Sequence, residues 1–135
     1  MDDGHPFDQL LAAAAAQPDR QVLLFVFAAA QLPSDATPAQ RDRYDAGAGG
    51  ELTPLMCVEK PLDELTSFEA LVSESRDVGP PWQVVFVAGL GGHGDEPPSP
   101  RSVESSLHTM IERVKHGAVQ GLLALSPRGE VLTFE

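Results

Sequence analysis

Apolar residues fall into two kinds of pattern along this chain, and the patterns predict its secondary structure. Continuous apolar runs are typical of strands that are covered on both faces, whereas apolar positions three and four residues apart are typical of helices. The continuous runs predict strands over residues 21–31, 52–60, 83–88 and 122–125. Helical spacing predicts helices over 7–17, 63–77 and 102–116, and a capping box starting at Thr37 predicts a short helix over 38–46.

The C-terminal residues predict a β-hairpin. Residues 126–129 read Ser-Pro-Arg-Gly, and proline in the second position with glycine in the fourth suits a type I turn. The turn would join strand 122–125 to a fifth strand over 131–134. The resulting order, α-β-(α)-β-α-β-α-β-β, predicts an α/β (α+β) fold with a single mixed sheet of about five strands and helices packed on it.

The length and the cysteine content of the chain indicate how many domains it forms and in which cellular compartment it functions. The chain has 135 residues, so we expect residues 1–135 to form a single domain. Its beginning is acidic, and no apolar run approaches the roughly 18 residues of a membrane-spanning helix. Cys57 is the one cysteine, so no intramolecular disulfide can form. These features favour a cytoplasmic protein.

The charge of the chain excludes two classes of partner. Twenty Asp and Glu residues oppose nine Lys and Arg residues, which gives a net charge of -11. The basic residues form no stripe, so neither a nucleic acid nor an anionic membrane is expected as a partner. A basic protein partner stays open, and the alternative is that the charge serves solubility alone.

A glycine-rich segment after the third strand is the main candidate for ligand or partner binding. It consists of Gly89, Leu90, Gly91, Gly92, His93 and Gly94, and it matches the dinucleotide pattern G-x-G-x-x-G. Two carboxylates and three prolines follow within residues 95–100, and they disfavour a phosphate site at a helix start. We therefore expect a mobile surface loop, and the alternative is a loop that closes over a partner or small ligand. The same mobility and low hydrogen-exchange protection are expected for the glycines at 47–50.

The patterns of the other reactive side chains do not indicate catalysis. On the last long helix, Glu104, His108, Glu112 and His116 recur every four residues, which is typical of a solvated helix face rather than a metal site. Cys57 lies within an apolar run, where a small buried side chain is expected. No catalytic residue, metal ligand or cofactor is therefore predicted.

Two aromatic residues are candidates for an interface. Trp82 follows Pro80 and Pro81, where it either anchors the loop in the core or forms an exposed corner. Tyr44 is the single aromatic residue of the short polar helix, where interface contact and local packing are the alternatives.

Four stretches, which cover nearly the full chain, resemble known proteins. They are QVLLFVFAAAQLPSDATPAQRDRYDAGAGGELTPLMCVEKPLDEL, SFEALVSESR, WQVVFVAGL and GLLALSPRGEVLTF. These stretches resemble a small proteobacterial family of uncharacterised proteins, often labelled as ribonucleotide reductase alpha subunits. That chemistry requires a radical cysteine and a redox-active cysteine pair, which Cys57 alone does not supply. In architecture the chain is also similar to the small domains of enhanced-serine-sensitivity proteins, whose helix start matches Thr66, Ser67 and Glu69 here.

These observations together favour a small cytoplasmic protein-interaction or regulatory domain without catalysis. It would act on a protein partner or on a second copy of itself, as a homodimer, and strand 131–134 is the expected pairing edge. One alternative is a small-ligand-binding protein or small enzyme that uses the loop at 89–100. Another is an acidic secretion chaperone, which the pI of about 4.6 and the length would suit.

Overall fold

The computed structural model describes residues 6–31, 37–45 and 51–132, and these residues form one sheet with helices packed on it. The mixed helix and strand class that the sequence predicts is confirmed. The elements in chain order are α1 (Pro6–Ala15), β1 (Gln21–Gln31), α2 (Pro38–Asp45), β2 (Glu51–Pro61), a 3-10 turn (Leu62–Glu64), α3 (Phe68–Val78), β3 (Val84–Gly91), α4 (Pro100–Lys115) and β4 (Leu123–Leu125).

The sheet is antiparallel and four-stranded, in the order β2-β1-β3-β4. The mixed, five-stranded sheet expected from the sequence is therefore corrected. The turn at 126–129 forms, and the Gly129 amide donates to the Ser126 carbonyl oxygen at 2.9 Å. Beyond it, Val131 makes an isolated bridge to Leu125 instead of starting a strand. Of the predicted fifth strand, residues 133 and 134 lie outside the described residues.

Strand β1 is the centre of the fold because helices cover both of its faces. Every residue from Val22 to Ala28 is buried. One face, with Val22, Leu24 and Val26, packs on Val103, Met110 and Val114 of α4. The other face, with Leu23, Phe25 and Phe27, packs on side chains from α1 and α3. Full burial of such a side chain contributes about 1.5–3 kcal/mol to stability.

Aromatic rings hold α1 and the segment after α3 against the sheet. The rings of Phe7 and Phe68 lie 5.4 Å apart, and Phe7 also contacts Phe25. The ring of Trp82 meets Phe27 edge-on at 5.0 Å. Helix α1 and Trp82 are thereby joined to one apolar cluster.

Capping side chains explain where the two long helices begin. The Ser67 hydroxyl accepts from the Ala70 amide at 3.0 Å, so α3 begins at Phe68 and not at the predicted residue 63. The Ser99 hydroxyl accepts from the Ser102 amide at 3.1 Å, and Pro100 occupies the first turn of α4. None of the helices in the described ranges is long and apolar enough to span a membrane.

Candidate functional site

Strand β2 forms one edge of the sheet along its whole length. Its inner side pairs with β1 from Glu51 opposite Gln31 to Pro61 opposite Val22. No other strand of the described part of the chain pairs with its outer side. In general, another extended segment can pair with an edge strand through main-chain hydrogen bonds. We refer to this outer side of β2, residues 51–61, as the β2 edge.

Half-buried apolar side chains flank the β2 edge. Leu55, Met56 and Val58 are only partly covered by the aromatic core cluster that lies beneath α1 and α3. The Met56 side chain packs directly on Gly79 after α3, where an added Cβ would stand 2.9 Å from Met56 Cε. A strand added at the β2 edge would therefore gain apolar contact area as well as main-chain hydrogen bonds.

Strand β2 carries three charged residues, namely Glu51, Glu59 and Lys60. Between Leu52 and Pro61 the strand carries one anion, Glu59, and one cation, Lys60. Lys60 Nζ also lies 2.6 Å from Glu74 Oε1 on α3. With two glutamates and one lysine, β2 contributes a charge of -1 to a chain whose net charge is -11.

Cys57 lies near the middle of β2 and is exposed, so the expectation of a buried side chain is wrong. It stands opposite Val26, which is fully buried beneath α4. The difference arises because β2 is an edge strand and the apolar run is not covered on this face at Cys57. Pro54, inside β2, is the sequence signal that indicates an edge strand, because proline is disfavoured in central strands.

The glycine-rich segment forms a tight hairpin joined to β1, where the sequence predicts a mobile surface loop. Gly89 and Gly91 belong to β3, opposite Leu23 and Gln21. His93 and Glu96 then pair across a two-residue turn formed by Gly94 and Asp95. The turn requires the left-handed conformation of Gly94, whose φ is +56°. The segment is therefore a hairpin turn and not a dinucleotide loop.

Hydrogen bonds connect this hairpin to the end of the α1–β1 connection. The Gly92 amide donates to the Arg20 carbonyl oxygen at 2.8 Å, and the Arg20 amide donates to the Gly94 carbonyl oxygen at 2.7 Å. The Gly94 amide donates to Asp19 Oδ1 at 2.8 Å. These bonds remove the reason for expecting low protection from hydrogen exchange here. The other glycine segment, 47–50, lies outside the described residues.

A shallow cavity of about 450 Å³ opens beside the hairpin. Asp19, Arg20, Asp63 and Asp95 line it, so it combines one cation with three carboxylates. Gly94 is the one member of the candidate set that lines this cavity. The others, Gly89, Gly91, Gly92 and His93, are not among its lining residues.

Glu104, His108, Glu112 and His116, which recur every fourth position, have different surroundings in the structure. Glu112 pairs with Lys115 at 3.3 Å, while Glu104 and His108 are exposed on the helix and His116 follows its end. Within the described ranges, no three His, Cys, Asp or Glu side chains lie close enough together to hold a metal ion.

Of the two aromatic candidates, Trp82 is the one whose side chain the structure describes. Trp82 is 7% exposed, and its Nε1 donates to Ser75 Oγ at 2.8 Å. It anchors the loop in the core, which is the first of the two alternatives that the sequence offers, and it does not form an exposed corner. Tyr44 belongs to α2, but its side chain lies outside the described part of the structure. Its role at an interface stays a prediction.

Comparison of the chain with family models, with curated proteins and with solved structures finds no match. The function is therefore inferred from the residues themselves.

Proposed function

We propose that this chain is a small protein-interaction or regulatory domain that acts without catalysis, through the β2 edge. The observation that supports the proposal is that no other strand of the described residues pairs with the outer side of β2. A partner strand added there would form main-chain hydrogen bonds and cover Leu55, Met56 and Val58. Recognition of this kind needs no reactive side chain.

The edge offers one position at which pairing can be blocked without disturbing the core. Cys57 is exposed near the middle of β2, so a lysine there is compatible with folding. Lysine on an edge strand opposes the addition of another strand. A matched control is Val131→Lys, because Val131 is 52% exposed and bridges to β4 at the opposite side of the sheet.

Capture from the native host tests the proposal with these variants. Tagged wild type, Cys57→Lys and Val131→Lys are each expressed together with the untagged chain, and the retained proteins are identified by mass spectrometry. We expect wild type and Val131→Lys to retain a partner, either another protein or the untagged chain, that Cys57→Lys loses. Retention of the same proteins by all three would contradict binding at the β2 edge.

A second candidate function is the binding of a small polar ligand in the cavity beside the hairpin. The observation that favours it is that Arg20 lines this cavity together with Asp19, Asp63 and Asp95. A ligand present at one hundred times its dissociation constant stabilises the folded state by about 2.7 kcal/mol. Unchanged thermal unfolding against a panel of nucleotides, metabolites and metals would contradict this function. A shift that Arg20→Ala abolishes and Arg128→Ala preserves would support it.

The secretion-chaperone alternative has less support. Such a protein needs an exposed apolar surface to hold its client. Two large apolar side chains are exposed among the described residues. They are Val78, the last residue of α3, and Val131, which follows β4. No observation therefore favours this alternative over the first two.

A further inference from the structure

We draw no further inference here: the strongest candidate, the cavity beside the hairpin after β3 that Arg20, Asp63 and Asp95 line, belongs to the second candidate function already described, and nothing among the described residues shows which ligand its exposed charged side chains would hold.

Discussion

Ser75 of α3 is a polar residue in a buried position, with 4% of its surface exposed. Its hydroxyl donates to the Val72 carbonyl oxygen at 2.6 Å and accepts from Trp82 Nε1 at 2.8 Å. The indole can therefore lie in an apolar cluster without leaving its N–H group unsatisfied. A single hydroxyl thus determines whether Trp82 can serve as an anchor.

We predict that Ser75→Ala destabilises the fold. The Trp82 N–H would remain buried without an acceptor, which costs about 1–3 kcal/mol. Urea unfolding at equilibrium measures the change, and Ser73→Ala on the exposed side of the same helix is the control. In the Ser75→Ala background, Trp82→Phe should cost less than it does in the wild type. Wild-type stability for Ser75→Ala would contradict the role of this hydrogen bond.

At the scale of elements, the hairpin after β3 uses two glycines for different reasons. A Cβ at Gly92 would overlap the Glu96 carbonyl oxygen and stand 2.6 Å from Pro97 C. Gly94 has open space around it but adopts a φ of +56°. Gly92 is required by close backbone approach, whereas Gly94 is required by conformation.

This difference leads to a prediction with an internal control. Gly92→Ala should destabilise the fold by about 1–3 kcal/mol, the usual cost of overpacking. Gly94→Asn should change stability little, because asparagine tolerates the left-handed conformation. Thermal unfolding compares the two variants. Equal stability of Gly92→Ala and wild type would show that the neighbouring backbone can move aside.

Hydrogen exchange checks the same hairpin by a separate measurement. The amides of Gly92 and Arg20 are bonded to backbone oxygens across the connection, so both should exchange slowly. The sequence predicts the reverse. Fast exchange at both amides in the wild type would restore the mobile-loop interpretation.

The elements that sequence predicts well are those with local signals. Strand β1 has the bounds expected from its continuous apolar run, and the turn at 126–129 follows from its proline and glycine. The exposure of Cys57 does not follow from its apolar run, which predicts a strand covered on both faces, and Pro54 is the one local signal that indicates an edge strand. The hairpin was missed because its hydrogen bonds join Asp19 and Arg20 to residues more than seventy positions away.

At the scale of the whole molecule, the net charge of -11 acts on every encounter between copies. Salt screens this repulsion, since the Debye length falls from about 10 Å at 0.1 M to about 3 Å at 1 M. We therefore predict that added sodium chloride strengthens self-association of the purified chain. Sedimentation at several salt concentrations measures the dissociation constant. Weaker association in high salt would mean that attraction between opposite charges holds the copies together.

The two margins of the sheet differ in length, and this asymmetry limits how far an assembly can grow. Strand β2 extends over 11 residues, whereas β4 at the opposite margin extends over three. A partner strand that pairs along β2 would cover the long margin, and the short margin at β4 would then be the one left. A three-residue margin is a poor template for a further strand. We therefore expect strand addition at this sheet to stop after one partner and not to continue into fibres.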